Sequence, residues 1–410
     1  MTLRSLLLCT FLLAASATPT LAAPTVPLAA FVYEDQFSHP RLAPDGKHIA
    51  ITARVPDGDR FVPIVTFYSV PEMQMTGAIR MPAFEVPLDY QWLTNTRLAI
   101  TKGLELGSRE KPVPTGEVLA AEFDGSKQEY LYGYKMRHSS SRGSRYGNDE
   151  GYGYIEDIPR SRNGHLFIAA HAWEGRHSLL YDVDARSAVR TLLADLPLPD
   201  LAFVIRNDGV PRFAFGADDN AERVLMRFDD AGKRWSKADA QLGQRYAPMG
   251  FNADDSALYV SYSADGGPYE LIREQVADGK RTTLFKDNTG SVASVMYGAK
   301  LGEPFGASTS IGRPRAVYFD ENSAEARLHR DLSAQFPDHR VAFVDFSDDG
   351  TVLLFGVSSD RDPGSYYLLD RKTMKASLLF SSLETIDPNK MRRAARSASR
   401  RATVSNCTAT

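Results

Sequence analysis

Residue types that could do hydrolytic chemistry are sparse in this sequence. A serine hydrolase of the α/β type carries its nucleophile in a Gly-x-Ser-x-Gly turn, followed downstream by an Asp and a His, and no such pentapeptide occurs here. The nearest segment is "FGASTSIG" from Phe305, in which Ser308 and Ser310 stand among small residues. A strand or loop explains this segment better than a nucleophile turn does, so we predict no catalytic residue in this chain.

Histidines and acids also lack the spacing that metal or cofactor sites need. His171 and His177 lie six residues apart in "HAWEGRH" with Glu174 between them, but the His-Glu-x-x-His spacing of a zinc-binding helix is absent. The segments "NADD" from Asn252 and "SDDG" from Ser347 do not have calcium-loop spacing. No phosphate loop, dinucleotide fingerprint or repeated basic face is found. We predict no metal site, no cofactor and no nucleic-acid partner.

A repeat of strand, tight polar turn and strand runs through the chain. Its turns fall at Asp45, Asn95, Asn163, Asp208, Asp254, Lys300 and Asp349. The intervals between them are 45 to 50 residues, except for one of 68. A period in this range is typical of one four-stranded propeller blade, and Asp-Gly pairs supply the positive φ of a tight hairpin. We predict an all-β, seven-bladed β-propeller of four-stranded antiparallel blades over residues 24–388.

Four further expectations concern the parts of the chain between and around the repeats. The long interval lies between Leu104 and Tyr154 and contains "RHSSSRGSRYGNDEGYGY", which predicts a long mobile loop, either ligand-facing or a solvated insertion. We find no helical periodicity between Arg41 and Phe380. The first and seventh repeats each hold all their strands, so ring closure does not require a shared strand. The segment "VPLAAFVYEDQF" before them has room for a short helix or an edge strand.

The first 23 residues have the layout of a secretory signal. Arg4 precedes an apolar run from Leu6 to Leu13, and small residues follow through Ala23. The alternative is a membrane anchor, but the run is shorter than the roughly 20 residues that span a bilayer. The only cysteines are Cys9 and Cys407, so the body has no disulfide framework. We predict that residues 1–23 are a signal peptide, that the protein is exported, periplasmic or secreted, and that it has no membrane contact after cleavage.

Residues 389–410 differ from the rest of the chain. The last 19 residues carry five arginines, no acid and no aromatic side chain. The formal net charge of the chain is −3, so that without these arginines it would be −8. We predict an aberrant or disordered basic tail that follows a truncation near Met391. A natural basic tail that binds an acidic partner is the alternative.

Several segments resemble a known family. "HPRLAPDGKHIAIT" and "FSDDGTVLLFGVSS" resemble the Pro-Asp-Gly repeats of the periplasmic Tol-system propeller and of the propellers of the prolyl oligopeptidase family. The segments "RGSRYGNDEGYGYIEDIP", "SLLYDVDARS" and "LETIDPNKM" favour the second, in its exported bacterial dipeptidyl and acylaminoacyl peptidases. The resemblance covers roughly Pro27 to Met391.

The resemblance implies a function for the propeller. In that family the propeller caps an α/β-hydrolase domain, which carries the catalytic Ser, Asp and His, so none of these maps onto a position of this chain. We expect a non-catalytic propeller that gates substrate, with a peptide or a hydrolase domain against one propeller face, and peptide hydrolysis only when the two are joined. The alternative is a stand-alone exported propeller of the Tol-system type that binds a protein or peptide. The sequence leaves open whether the chain is an enzyme.

Overall fold

Seven antiparallel sheets form the blades of a β-propeller. The computed structural model describes residues 26–32, 34–106, 111–135, 149–288, 290–300, 302–309 and 314–394, and the backbone of two strands beyond them. Each sheet is built from strands that are consecutive along the chain, and the first strands of blades 2 to 7 line central cavities. The predicted all-β, seven-bladed propeller is confirmed.

The first four blades have four strands each. They consist of β1 (Phe37–Leu42), β2 (His48–Asp57), β3 (Arg60–Ser69) and β4 (Met75–Ile79); β5 (Glu85–Trp92), β6 (Arg97–Leu104), β7 (Val113–Glu122) and β8 (Glu129–Tyr132); β9 (Gly151–Asp157), β10 (His165–Ala172), β11 (Ser178–Asp184) and β12 (Val189–Leu196); β13 (Ala202–Ile205), β14 (Pro211–Ala217), β15 (Arg223–Asp229) and β16 (Arg234–Lys237).

In the last three blades the order of strands is the same, but blade 6 has three strands among the described residues. These blades consist of β17 (Tyr246–Phe251), β18 (Ala257–Tyr262), β19 (Glu270–Gln275) and β20 (Arg281–Phe285); β21 (Val292–Tyr297), β22 (Pro304–Thr309) and β23 (Ala316–Tyr318); β24 (Arg340–Phe346), β25 (Val352–Ser358), β26 (Ser365–Asp370) and β27 (Lys375–Ser381). Over the part of the chain that the structure describes, the helices are α1 (Ala240–Arg245), α2 (Ala324–Gln335) and two 3-10 turns, Leu28–Phe31 and Pro388–Lys390.

All seven predicted turns join the first strand of a blade to the second. Gly46, Gly209 and Gly350 have φ of 70°, 84° and 66°, which is the conformation that the Asp-Gly pairs predict. The aspartate before the glycine accepts a backbone N–H two residues on, as in the bond from Thr351 N to Asp349 Oδ1 (3.0 Å). Local side-chain chemistry therefore sets the start of the first hairpin in blades 1, 4 and 7.

The core is divided into seven apolar clusters, one at each interface between neighbouring blades. The cluster between blades 7 and 1 includes Leu42, Ile49 and Leu354, all nearly inaccessible to solvent. Backbone bonds run alongside it, from Gln36 N to Ser382 O (2.8 Å) and from Asp348 N to Pro44 O (2.7 Å). The ring therefore closes through packing and hydrogen bonds, without a strand shared between its first and last blades.

Helix α2 departs from the predicted pattern. It follows the third strand of blade 6 and packs Leu328 and Leu332 against blade 7. Ser323 caps its start by accepting the N–H of Ala326 (3.2 Å), and Glu325 in the first turn complements the helix dipole. The expectation of no helical periodicity between Arg41 and Phe380 was therefore wrong over these twelve residues and over the six of α1.

The long interval between repeats and the two ends of the chain lie outside the regular blades. The interval contains the β6–β7 loop and the connection from blade 2 to blade 3, and residues 136–148 of that connection lie outside the described residues. The segment before β1 forms the short 3-10 helix. Beyond β27, the strands Ser397–Arg400 and Asn406–Ala409 pair with each other and with no blade. The aberrant origin of residues 389–410 stays a prediction.

The two faces of the propeller carry different segments. We call the face with the strand 1–2 and strand 3–4 turns the turn face. The opposite one, which carries the strand 2–3 loops and the connections between blades, we call the connection face. Residues 26–36 and 382–390 adjoin the connection face, because β1 begins and β27 ends there. No helix of the described residues is long and apolar enough to cross a membrane, and residues 1–23 lie outside that part.

Candidate functional site

Ser308 is a structural residue of blade 6. It lies in β22, is buried, and its Oγ is 2.8 Å from the Oγ of Ser294 in the neighbouring strand. A serine nucleophile needs a base within hydrogen-bond reach of its hydroxyl, and the recorded partner here is another serine. Ser310 lies outside the described residues.

His171 and His177 lie apart in blade 3. His171 is buried, and burial lowers the pKa of its imidazole. Its Nδ1 is 3.2 Å from Ser178 Oγ, which itself donates to Leu198 O (2.7 Å), so His171 donates to this serine and is not its base. His177 is exposed and pairs with Asp195 (2.5 Å). Among the described residues no three potential metal-ligating side chains are grouped to hold an ion.

A cavity of about 650 Å³ lies at the centre of the ring. It is bounded by the first strands of blades 2 to 5 and extends between blades 2 and 3. Its size is that of a site for a drug-sized ligand. Its charged lining comprises the acids Asp89, Glu117, Glu156 and Asp157 and the bases Lys102, Arg160 and Arg162. We call it the larger chamber.

The backbones of blades 2 and 3 pack closely against each other beside this chamber. Strand β9 packs against β7, the third strand of blade 2. A Cβ at Gly116, where φ is +74°, would lie 2.5 Å from the Cα of Tyr152, and one at Gly153 would lie 2.6 Å from the ring of Tyr132. Glycine at these two positions allows the strands to approach each other. Lys102 and Pro114, near the connection-face ends of β6 and β7, line the chamber, so it extends toward that face.

A second cavity of about 490 Å³ lies between blades 6 and 7, and we call it the smaller chamber. It is lined by aromatic side chains, among them Phe305, Tyr318 and Phe343, with Ser294 and Ser308 as hydroxyl donors. Arg162 and Tyr297 line both chambers. These two side chains therefore stand between the two parts of the central space.

Two partly buried carboxyl groups of the first strands have raised pKa values. Burial raises the pKa of Glu156 to about 7, although it accepts the N–H of Phe203 in blade 4 (2.9 Å). Burial likewise raises the pKa of Asp345 to about 6, although it accepts the N–H of Leu42 in blade 1 (3.1 Å). Both groups connect the first strand of one blade to that of the next. At neutral pH Glu156 is about half ionised inside the larger chamber.

We expect Glu156→Gln to stabilise the protein more at pH 8 than at pH 5. The folded-state pKa of Glu156 lies above its ordinary value of 4.5, so the folded state holds a proton that the unfolded state releases, and wild-type stability from this group falls as pH rises from about 4.5 to 7. Gln cannot ionise and its Oε1 can still accept from Phe203. The difference in free energy of unfolding between variant and wild type should grow by about 2 kcal/mol over this window.

Urea unfolding at several pH values measures this difference. The exposed Glu174→Gln in the same blade is the matched control, and its difference from wild type should stay constant. A pH-independent difference for Glu156→Gln would contradict the assignment of a partly buried, half-ionised carboxyl.

Exposed aromatic side chains collect on the connection face of blades 1 to 3. We call Phe61, Phe84, Tyr134, Tyr152 and Trp173 the aromatic rim, and 38% to 60% of each is exposed. The ring centroid of Trp173 is 5.8 Å from that of Tyr134 and 6.3 Å from that of Tyr152. Large apolar groups exposed together on one face are typical of an interaction surface. The larger chamber extends toward the same face.

The sequence did not predict the charged residues of the larger chamber or the aromatic rim. Glu156 occurs in the segment "YIEDIP", which pointed only to a family resemblance. Lys102, Arg160 and Arg162 have no local motif, because their positions in the chamber depend on the ring. The exposure of Trp173 is equally a property of the fold. The glycines around Tyr152 were the one signal that could have indicated a close strand contact.

Comparisons with known proteins give structural relatives only. No protein-family model matches the chain, and no curated protein matches it. Prolyl oligopeptidase B from Galerina marginata has a TM-score of 0.57 at 11% identity, covering 93% of this chain and 56% of that protein. A puromycin-hydrolyzing peptidase of Mycobacterium tuberculosis has a TM-score of 0.57 at 13% identity, covering 92% and 58%. The β-propeller domain of the trilobed protease from Pyrococcus furiosus, described as having an open velcro topology, has a TM-score of 0.52 at 8% identity, covering 87% and 98%.

These relatives confirm the predicted resemblance at the level of the fold. The chain has the fold of the β-propellers of prolyl oligopeptidases. It spans little more than half the length of the two peptidases and nearly all of the isolated propeller domain. The Galerina enzyme is also known bound to a 35mer hydrolysis and macrocyclization substrate.

Proposed function

We propose that this chain acts as the non-catalytic, substrate-gating propeller of a prolyl oligopeptidase-like serine peptidase. In this arrangement an α/β-hydrolase domain covers the connection face, and a peptide passes between that domain and the larger chamber. The observation that carries the proposal is the aromatic rim, because it lies on one face, beside the opening of a cavity of about 650 Å³. The fold likeness to prolyl oligopeptidases supports the identity of the partner.

The chamber has the chemistry that a peptide requires. Its wall carries four carboxyl groups, one lysine and two arginines, and Tyr154 and Phe203 add aromatic surface. Such a mixed lining suits a backbone of donors and acceptors that carries varied side chains. We propose in addition that the protein is exported and works outside the cytoplasm, on the strength of the secretory signal in residues 1–23.

The serine and histidine contacts of the described blades support a non-catalytic role. Ser178 donates to a backbone carbonyl, and Ser308 pairs with Ser294. Neither hydroxyl is aligned with a base that could remove its proton. Hydrolysis is therefore assigned to the partner domain, and the propeller controls which peptides reach it.

We expect the purified chain to self-associate through the uncovered aromatic rim. Sedimentation velocity should show a weight-average mass that rises with protein concentration, because large exposed apolar groups without their partner associate. Tyr134→Ser combined with Trp173→Ser should remove most of this concentration dependence. A monodisperse wild-type monomer at high concentration would contradict the proposed docking face.

The matched control alters the turn face. Met75 and Met374 are 58% and 57% exposed, against 52% and 48% for Tyr134 and Trp173. Replacing both methionines by serine should leave self-association unchanged. Fluorophosphonate labelling of the same samples is a second readout, and a labelled serine in the wild-type chain would overturn the non-catalytic assignment.

A further inference from the structure

The turn between β9 and β10 of blade 3 carries two arginines whose side chains lie across the central space, on its turn-face side. Arg160 and Arg162 lie in the segment between β9 and β10. Arg160 donates to the carbonyl of Phe251 in blade 5 (3.3 Å), two blades away. Arg162 donates to the carbonyl of Trp92 in blade 2 (2.7 Å), and its Nε is 4.0 Å from Asp348 of blade 7. A single turn thus contacts blades on both sides of the central space.

Blade 6 also contributes to this arrangement. The backbone of Gly302, in the first turn of that blade, lies against the guanidinium of Arg160 and the carbonyl of Phe251. A side chain at Gly302 would occupy the same space as the guanidinium, and its φ of +75° also favours glycine. The two arginines therefore meet the ends of blades 2, 5, 6 and 7 at the level of the turn face.

Two further gaps between neighbouring turns are also bridged. Asn207 of blade 4 donates to the carbonyl of Asn252 in blade 5 (2.8 Å), and Asp348 of blade 7 donates its N–H to Pro44 of blade 1 (2.7 Å). Hydrogen bonds of this kind hold the turns at fixed distances. The two faces are thus different, because the turn face is bridged by polar groups and the connection face exposes aromatic side chains.

Arg162 also separates the two chambers. It lines both the larger and the smaller chamber, with Tyr297 beside it. Its charge is matched by three acids of two blades, namely Asp157 of blade 3 and Asp345 and Asp348 of blade 7, the last at 4.0 Å. Because Arg162 is held by blade 2 through Trp92 and by blade 7 through Asp348, its side chain is fixed between the two chambers.

We propose that Arg160 and Arg162 seal the turn face, so that the channel is a blind chamber reached only from the connection face. A blind chamber of about 650 Å³ accepts the end of a peptide or a short peptide, and a long chain cannot thread through it. That the ligand is a peptide rests on the proposed function. The seal itself rests on the contacts of the two arginines alone.

The test measures how fast a thiol inside the chamber reacts. The chain offers a simple background, since replacing Cys9 and Cys407 by serine removes all its cysteines. Val204→Cys places a reporter on the wall of the larger chamber, and Ser294→Cys places one in the smaller chamber. While the arginines are present, a polyethylene-glycol maleimide can reach both sites only through the opening on the connection face. Replacing Arg160 and Arg162 by alanine should raise the rate about tenfold or more at Val204→Cys, because the turn face then opens directly onto it.

Two controls separate an opened seal from a loosened fold. Arg206→Ala removes an arginine of the turn face that pairs with Asp208 and Asp230 within its own blade, and it should leave the rates unchanged. Ser178→Cys reports on a fully buried site of blade 3 outside both chambers, and the arginine variant should not accelerate its modification. An equal acceleration at Ser178→Cys, or none at Val204→Cys, would overturn the proposal.

Gly302→Ala tests the seal without removing either charge. Its added Cβ would displace the Arg160 guanidinium from the Phe251 carbonyl, so we expect a smaller acceleration at Val204→Cys in the same direction. If the double alanine variant does not fold, this variant decides the question, and an unchanged rate contradicts the seal. Thiol access does not depend on a hydrolase partner, so its outcome is separate from the self-association test of the proposed function.

Discussion

Lys102→Met should lower the free energy of unfolding by about 3–5 kcal/mol at neutral pH. The Lys102 ammonium is fully buried in blade 2 and lies 2.5 Å from Glu85 and 3.0 Å from Glu117, and it donates to the hydroxyl of Tyr130 (2.7 Å). Both carboxylates are only 4% exposed. Met fills a similar volume, so the loss would come from leaving two acids close together without their shared cation. Guanidinium unfolding followed by circular dichroism measures the effect.

Lys135 provides the matched control, because it pairs with the same Glu85. Its side chain is 53% exposed, so solvent already screens the pair, and Lys135→Met should cost no more than about 1 kcal/mol. Adding Glu85→Gln and Glu117→Gln to Lys102→Met should restore most of the lost stability, since no uncompensated charge then remains. Equal effects of the two lysine variants would show that burial of the charge is not the determinant.

Arg190→Met should lower the free energy of unfolding by about 3 kcal/mol or more. The guanidinium of Arg190 is 1% exposed and binds both oxygens of Asp149, at 2.9 and 2.7 Å. It also donates to the carbonyl of Leu131 in blade 2 (2.9 Å) and lies 4.9 Å from the ring of Tyr132. The last strand of blade 3 is thereby joined to the last strand of blade 2. Removing the guanidinium would leave Asp149, 14% exposed, without its cation.

Arg190→Lys separates charge from geometry. Lysine keeps the charge but cannot make the two parallel bonds together with the bond to Leu131, so we expect about half of the loss seen with methionine. The exposed pair of Arg176 and Asp219, at 2.8 Å, is the control, and Arg176→Met should change stability by less than about 1 kcal/mol. If the methionine and lysine variants of Arg190 are equally unstable, the bidentate geometry carries the stability; if Arg190→Lys is as stable as wild type, that geometry is irrelevant.

The sequence predicted the blades because their signals are local. Each strand 1–2 turn is encoded by a few polar residues, as in the bonds that Asp45 and Asp349 accept from residues two positions on. The regular spacing of these turns gave the number of blades. It did not give helix α2, whose buried side chains Ala326, Leu328, His329 and Leu332 are interspersed with charged ones. The Ser323 cap and Glu325 were the available signal for that helix.

The contacts of the candidate site could not be predicted from local sequence signals. The bond from Arg160 to Phe251 joins residues 91 positions apart, and that from Arg190 to Asp149 joins residues 41 apart. No short pattern specifies such pairs, because ring closure brings them together. The acidity of Glu156 likewise follows from burial between blades and not from its neighbours in sequence.

The sequence by itself determined the all-β class, the seven blades and the positions of their first turns, because hairpin chemistry and alternating burial act over a few residues. The tertiary structure alone decided which charges are buried, where the chambers lie and how the two faces differ. Lys102, Arg162 and Trp173 acquire their roles only when neighbouring blades remove water from one side chain and leave another exposed. Burial and long-range pairing are properties of the closed ring.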